Sequence, residues 1–267
     1  MTTETEIKRV VRERYASAAV AKTSCCGPTS CGETADLGLN MIGDAYSSVD
    51  GYVADADLGL GCGLPTQHAG IKAGDVVLDL GSGAGIDAFV ARRIVGASGR
   101  VIGVDMTPEM LARARDNAAK LGYDNVEFRL GEIEALPVDD AAIDVVVSNC
   151  VLNLVPNKAR AFAEIFRVLR PGAHFCVSDI VATGTLPEPI RNAAALYVGC
   201  VAGALPLGDY LRLIEEAGFE AIDIAETKPI DLPDDVLSRF LSEAEIAAFR
   251  RTGVNLQSIT VRATKPA

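Results

Sequence analysis

The chain has 267 residues, of which 49% are hydrophobic and 23% charged, and its formal net charge is -11 at pH 7. These proportions are those of a globular protein with a substantial core, and no uninterrupted apolar stretch reaches the length of a membrane span. The chain also lacks the clustered lysines and arginines that bind nucleic acid phosphates. Composition therefore disfavours both a membrane protein and a nucleic acid partner.

The amino-terminal stretch TETEIKRVVRERY is charged and lacks the apolar core and cleavage pattern of a secretory signal, so we expect a cytoplasmic protein. In that reducing compartment the seven cysteines are expected to be thiols, ligands or transient redox partners. The sequence leaves the oligomeric state open, and we favour a monomer.

Residues 4–22 carry Ile7, Val10 and Val11 at helical spacing, which predicts an amphipathic helix. The segment TSCCGPTSCGETADLG follows and predicts a loop. From Asp75 onward, short apolar runs alternate with helical segments, a pattern typical of βαβ units and a parallel sheet with helices on both faces. The strand candidates are VVLDL, RVIGVD, VEFRLGE, IDVVVSN, HFCVSDI, EAIDIAETKP and NLQSITVRAT.

Between the fourth and fifth strand candidates lies the predicted helix KARAFAEIFRVLRPG, which Pro171 and Gly172 are expected to end. A long crossover over residues 181–218 follows the fifth strand, and DDVLSRFLSEAEIAAFRRTG predicts one helical segment before the last strand. The predicted fold is α/β and Rossmann-like. It has a doubly wound, mostly parallel sheet of about seven strands, completed by an antiparallel C-terminal pair.

The segment VVLDLGSGAGID joins a strand, a glycine-rich turn and the start of a helix. Its glycines let the backbone bend tightly and approach a ligand; they are Gly81, Gly83 and Gly85. The order G-S-G-A-G differs from the G-x-G-x-x-G of dinucleotide sites, and the flanking carboxylates of Asp79 and Asp87 suit a cationic sulfonium better than a pyrophosphate. Asp105 ends the next strand, where a carboxylate can bind both ribose hydroxyls. These features favour S-adenosylmethionine over NAD.

The loop resembles the first motif of the class I S-adenosylmethionine-dependent methyltransferases, and the similarity extends from about Ile71 to Asp179. VIGVDMTPEML matches the second motif, GEIEALP the segment after the third strand, SNCVLNL the fourth motif, and LRPGA the turn before the fifth strand. The resemblance implies S-adenosylmethionine as cofactor. The cofactor-binding residues that it implies are Asp79, Gly81, Ser82, Gly83, Gly85, Asp105, Met106, Glu132, Ile133 and Asn149.

The resemblance also implies a role for several of these residues. Asp105 is implied at the ribose and Met106 beside the adenine. Glu132 and Ile133 are implied to contact the adenine amino group and ring, and Asn149 to lie near the methionine end of the cofactor.

Most methyltransferases of this fold deprotonate an oxygen or nitrogen nucleophile and keep a base near the transferred methyl group. The two histidines, His68 and His174, are more typical of surface or framework residues than of that base. Cys150, in contrast, directly follows the fourth strand, at the edge of the sheet where ligands bind. Cys62 in GLGCGLP and Cys200 in YVGCVAG are predicted at the same edge.

Three thiolates around one centre form a soft site that selects thiophilic metals or metalloids. A trivalent arsenic atom held in this way keeps a lone pair that can attack the sulfonium methyl group, so no general base is needed. GLGCGLP, SNCVLNL and YVGCVAGA are similar to the cysteine motifs of the arsenite S-adenosylmethionine methyltransferases, over most of residues 46–230. The resemblance implies stepwise methylation of As(III) or its thiol conjugates. Cys150 and Cys200 form the implied core arsenic-binding pair, and Cys62 is a third ligand or redox partner.

The family also uses an N-terminal cysteine in a disulfide relay that returns oxidised arsenic to the trivalent state. Cys25, Cys26 and Cys31 are the candidates in this chain, and we include Cys26 and Cys31 among the predicted catalytic residues. Glutathione or thioredoxin is expected as the thiol reductant. A structural zinc site in this segment is disfavoured because paired C-x-x-C spacing is absent.

The sequence therefore predicts an S-adenosylmethionine-dependent arsenite methyltransferase, an enzyme of arsenic detoxification. Residues 1–45 form the predicted helix and cysteine-rich loop, 46–180 the cofactor-binding core, and 181–267 the arsenic-binding crossover and last strands. One alternative is a methyltransferase of a small organic oxygen or carbon nucleophile, in which the cysteines only pack. The other is a non-catalytic thiol protein that sequesters arsenic or a metal, which has no need of the cofactor motifs.

Overall fold

The structure is a computed structural model that describes residues 4–21, 46–191, 201, 203–238 and 241–267. The candidate residues Cys25, Cys26, Cys31 and Cys200 lie outside these ranges.

The described strands are β1 (Val76–Leu80), β2 (Arg100–Asp105), β3 (Val126–Leu130), β4 (Ile143–Asn149), β5 (Leu169–Ala182), β6 (Glu220–Ile230) and β7 (Leu256–Thr264). They form one seven-stranded sheet in the order β3-β2-β1-β4-β5-β7-β6. Neighbouring strands from β1 to β5 are parallel, and β7 is antiparallel to both β5 and β6. The predicted sheet and its antiparallel C-terminal pair are confirmed.

Helices cover both faces of the sheet. The described helices are α1 (Glu4–Ala21), α2 (Pro65–His68), α3 (Ile86–Val95), α4 (Pro108–Leu121), α5 (Lys158–Val168), α6 (Glu188–Arg191), α7 (Leu207–Glu216), α8 (Asp234–Leu237) and α9 (Glu243–Thr252). Within the described ranges, no helix is both long and apolar enough to cross a membrane.

The core has two layers because side chains alternate along each strand. In β4, Val146 packs into a buried cluster that contains residues of α5 and α7. Val145 and Val147 pack into the opposite cluster, which contains residues of α1, α3 and α4. This sandwich buries the central strands on both faces, so those strands are accessible mainly at their ends.

The segment LRPGA departs from the prediction, because it belongs to β5 and not to a turn before that strand. Helix α5 ends at Val168, and Leu169 already pairs with Ile143 of β4. The register then shifts, and Gly172 takes a positive φ of 76°. The predicted turn is therefore an irregularity inside a longer strand, which positive-φ glycine permits.

The predicted single helical segment before β7 also differs, since it contains the two separate helices α8 and α9. Ser242 is extended at φ -68° and ψ 161°, and its hydroxyl accepts a hydrogen bond from the Glu245 N–H. The Glu245 carboxylate in turn accepts from the Ser242 N–H at 2.8 Å. This reciprocal capping starts a new helix at Glu243.

Candidate active site

A pocket opens at the carboxyl ends of the central strands, at the edge where ligands bind in doubly wound sheets. The predicted cofactor residues that line it are Asp79, Gly81, Ser82, Gly83, Asp105, Met106, Glu132, Ile133 and Asn149. Gly85 does not line it. At φ 100° it caps α3, and a Cβ there would lie 2.8 Å from the Phe89 ring and 3.0 Å from the Phe128 ring. Its structural contribution is a sharp, closely packed turn.

Asp105 holds the glycine-rich turn in place from the end of β2. One carboxylate oxygen accepts a hydrogen bond from the Gly83 N–H at 2.9 Å, and the other accepts from the Thr107 N–H at 2.8 Å. Each oxygen has a second lone pair, so the carboxylate can still accept from a sugar hydroxyl. Burial raises the pKa of Asp105, and the two N–H groups oppose that rise.

Buried acidic groups give the pocket a negative interior. Burial, followed by the charges of Asp87 and Asp105, raises the pKa of Asp79 well above its usual value. Burial also raises the pKa of Asp87 to about 6. Asp79 Oδ2, Asp87 Oδ1 and Ser82 Oγ are buried without a protein hydrogen-bond partner within the described residues. Buried polar atoms normally have partners, so this donor-poor, acidic wall fits a cationic ligand that carries N–H groups.

Tyr46 joins this wall and was not predicted from the sequence. Its hydroxyl donates to Asp87 Oδ2 at 2.8 Å and accepts from the Asn149 amide at 2.5 Å. Burial raises the pKa of Tyr46, so the phenol stays protonated and keeps donating to the carboxylate. No motif surrounds Tyr46, and its role depends on a contact between distant segments.

Helix α1 closes one side of the pocket, to which it contributes Lys8, Val11 and Tyr15. The Lys8 ammonium lies 2.7 Å from the Glu132 carboxylate and also pairs with Glu134. These pairs tie the helix to the loop after β3. The cofactor motifs do not include α1, so Lys8 was missed from the sequence. Glu134 lies within GEIEALP but was not among the predicted site residues.

Two of the predicted thiols lie in one buried cluster beside the pocket. Cys150 lines the pocket directly after β4, at a positive φ of 60°, and its N–H donates to the Ser178 carbonyl at 2.7 Å. Cys62 is fully buried and does not line the pocket, although the neighbouring Gly61 does. Val201, in the same cluster, is the chain neighbour of the undescribed Cys200.

Cys176 has a different setting, in the middle of β5. It is fully buried in the cluster formed with α1, α3 and α4, and burial raises the pKa of its thiol to about 12. This residue therefore stays a protonated thiol within the core.

The histidines lie away from the pocket lining. His174 Nε2 is 2.5 Å from the Ala69 carbonyl, and His68 Nε2 is 3.7 Å from the Glu226 carboxylate. Both contacts are with framework groups.

The sheet is doubly wound and carries a glycine-rich turn, a carboxylate at the end of β2 and an acidic pocket at this edge. Together these features define a class I S-adenosylmethionine-dependent methyltransferase. The family described as "Methyltransferase domain" matches residues 71–218. The arsenite methyltransferase of Halobacterium salinarum is 45% identical to the chain, over 98% of the chain and 67% of the relative. The chain belongs to the arsenite methyltransferase family.

Two further relatives support this membership. The arsenite methyltransferase of Aquipseudomonas alcaligenes is 41% identical, over 69% of this chain and 55% of its own length. The crystal structure of an arsenic(III) S-adenosylmethionine methyltransferase from Chlamydomonas reinhardtii is 40% identical and superposes with a TM-score of 0.66, over 77% of this chain and 68% of that one. The chain thus spans between 55% and 67% of the length of the first two relatives.

Proposed function

We propose that this chain transfers methyl groups from S-adenosylmethionine to trivalent arsenic held by the thiolates of Cys62, Cys150 and Cys200. The observation that carries the proposal is the packing of Cys62 and Cys150, distant in sequence, into one buried cluster with Cys150 in the pocket wall. The names of the relatives state the same substrate. Arsenite and its thiol conjugates are therefore the substrates that we propose.

S-Adenosylmethionine, when bound, supplies a methyl group that its sulfonium makes electrophilic. The Asp105 carboxylate would hold the ribose, and the unpartnered oxygens of Asp79 and Asp87 would accept from the ammonium of the methionine end. Met106, Glu132 and Ile133 line the part of the pocket that we assign to adenine. Asn149, at the end of β4, would orient the methionine end toward Cys150.

The three thiols would bind arsenite as thiolates, each proton leaving with an arsenite hydroxyl group as water, and the arsenic lone pair would be directed at the methyl carbon. Donation of this pair would form an As–CH3 bond while the S–CH3 bond breaks. S-Adenosylhomocysteine would be the leaving group, and arsenic would go from the trivalent to the pentavalent state. A general base is not required, because the nucleophile is a lone pair and not an O–H or N–H group.

A further methylation requires two electrons to return arsenic to the trivalent state. We propose that a pair of cysteine thiols supplies them and becomes a disulfide, with Cys26 or Cys31 as the N-terminal partner. Glutathione or thioredoxin would then reduce the disulfide. A reducing compartment such as the cytoplasm would keep this cycle running. In this scheme residues 1–45 cover the site, 46–180 bind the cofactor and 181–267 contribute Cys200.

The test compares wild-type protein with Cys150→Ala and Cys176→Ala, each incubated with arsenite, S-adenosylmethionine and glutathione. Methylated arsenicals are separated by chromatography and measured by elemental detection. We expect methylated arsenic from wild type and Cys176→Ala, and none from Cys150→Ala, because Cys150 lines the pocket and Cys176 does not.

Two other results would contradict the proposal. Cofactor binding without methylated arsenic would favour an organic nucleophile as substrate. Arsenite binding without cofactor binding would favour sequestration.

A further inference from the structure

The backbone of Cys62 is held by side chains from two different strands. Its N–H donates to Asn149 Oδ1, at the end of β4, at 3.0 Å. Its carbonyl accepts a hydrogen bond from the hydroxyl of Ser258, in β7. Ser258 is 3% exposed, so water does not compete for this bond.

The glycines on either side of Cys62 explain why these bonds are needed. A Cβ on Gly61 would lie 2.6 Å from the Asn149 amide nitrogen, and a Cβ on Gly63 would lie 2.5 Å from the Ser178 hydroxyl. Only glycine allows the loop to approach the strands this closely. Glycine also leaves the unbound backbone with many conformations, so a Gly-Cys-Gly loop has little intrinsic order. Side chains outside the loop must therefore supply the order.

We propose that Ser258 is a positioning residue that sets the place of the Cys62 thiol for arsenic binding. Its hydroxyl does not have to touch arsenic, because it acts through the Cys62 carbonyl. This inference rests on the proposed function, in which Cys62 is an arsenic ligand. A loop ordered before binding costs less conformational entropy when a ligand binds, so the Ser258 hydrogen bond is expected to raise affinity for arsenite.

Thr260 provides a matched control on the same strand. It lies two residues from Ser258, on the same face of β7, and is 2% exposed. Its hydroxyl is 2.8 Å from the Ser178 hydroxyl and makes no bond to the Cys62 backbone. Loss of either hydroxyl removes one buried hydrogen bond, but only the loss at Ser258 releases the Cys62 carbonyl.

The experiment compares wild type, Ser258→Ala, Ser258→Thr and Thr260→Val, all with reduced thiols. Equilibrium dialysis with elemental detection gives the Kd for arsenite, and calorimetry gives the Kd for S-adenosylhomocysteine. Ser258→Ala is expected to raise the arsenite Kd about fivefold, the equivalent of one net hydrogen bond. Its S-adenosylhomocysteine Kd should change by less than about twofold. Thr260→Val should keep the wild-type arsenite Kd, and Ser258→Thr should restore it.

In turnover, Ser258→Ala should raise KM for arsenite and leave KM for S-adenosylmethionine near the wild-type value. A general loss of packing would instead affect Ser258→Ala and Thr260→Val alike, and equal arsenite affinities of the two variants would overturn the inference. A wild-type protein that binds no arsenite would instead refute the proposed function itself.

Discussion

The side-chain oxygen of Asn149 accepts a hydrogen bond from the Cys62 N–H at 3.0 Å, and its amide donates to the Gly63 carbonyl at 2.8 Å. Asn149 also lines the cofactor pocket. One side chain therefore joins the cofactor site to the loop that carries a proposed arsenic ligand. Because binding free energies are linked reciprocally, a ligand that orders Asn149 on one side should strengthen binding on the other.

Asn149→Ala tests this link. In wild type we expect saturating S-adenosylhomocysteine to tighten arsenite binding about five- to tenfold, a coupling of ordinary size for linked sites. The variant should lose most of that effect, because the Cys62 N–H no longer has its acceptor in the pocket. Arsenite dialysis with and without S-adenosylhomocysteine measures the coupling.

Ser148→Ala serves as the control for Asn149→Ala, since the Ser148 hydroxyl donates only to the Leu80 carbonyl at 3.1 Å. Ser148→Ala should keep the full coupling. An Asn149→Ala protein with wild-type coupling would show that the two sites communicate by another route.

Asp105→Ala should weaken cofactor binding more than the loss of one contact suggests. The carboxylate orders the glycine-rich turn through the Gly83 N–H and the next loop through the Thr107 N–H. We expect the calorimetric Kd for S-adenosylhomocysteine to rise about 10- to 100-fold, as for lost hydrogen bonds to a charged group. Asp116→Ala, at an exposed position of α4, should bind normally. Near-normal binding by Asp105→Ala would remove this residue from the cofactor site.

Cofactor binding should weaken in acid because of Asp87, whose pKa in the free pocket is about 6. A bound cation favours the carboxylate and lowers this pKa, so binding below about pH 6 must release a proton. The Kd for S-adenosylmethionine should therefore rise as pH falls through about 6, by at most about tenfold per pH unit for this group. Calorimetry across this range measures the profile. Asp87→Asn should bind more weakly and lose this inflection, and an unchanged inflection would assign it to another group.

Lys8 should slow the release of the cofactor, because its ammonium holds α1 against Glu132 and Glu134 at the pocket edge. Lys8→Gln is expected to raise the dissociation rate of S-adenosylhomocysteine about two- to fivefold, which is typical of a partly exposed ion pair. Added salt should reduce the difference between wild type and variant. Stopped-flow displacement gives the rates.

Arg9→Gln is the matched control for Lys8→Gln. Arg9 is exposed on the same helix and pairs with Glu13, one turn further along α1. Its removal should leave the dissociation rate unchanged. Equal rates for the two variants would mean that Lys8 does not hold the helix over the pocket.

The strands, the glycine-rich turn and the placement of Cys150 could be predicted because their signals are local. The apolar run from Ile143 to Val147 predicts β4, and Cys150 comes just after that strand. This one segment is therefore enough to predict that Cys150 lies at the carboxyl edge of the sheet. The start of β5, in contrast, could not be predicted from the sequence. LRPGA has the composition of a turn, and only pairing of Leu169 with Ile143 makes it part of a strand.

The two thiols Cys150 and Cys176 also show what depends on the position of a residue relative to the end of its strand. Composition does not distinguish Cys176 from Cys150, since both are cysteines next to buried strand residues. The difference is that Cys176 lies inside β5 and Cys150 lies just past the end of β4. That difference decides which thiol reaches the pocket and which has its pKa raised to about 12.

The sequence by itself determined the succession of strands along the chain, the glycine-rich turn and the acidic end of β2, because hydrophobic period and turn chemistry depend on near neighbours. Only the tertiary structure decided how Cys62 is held, since its hydrogen-bond partner Ser258 is 196 residues away. Their contact exists because β7 inserts beside β5, and it is this strand order that brings the β7 side chains to the loop before β1. The contacts of Tyr46 with Asp87 and of Lys8 with Glu132 also depend on tertiary packing. Each contact joins two distant segments that share no sequence motif.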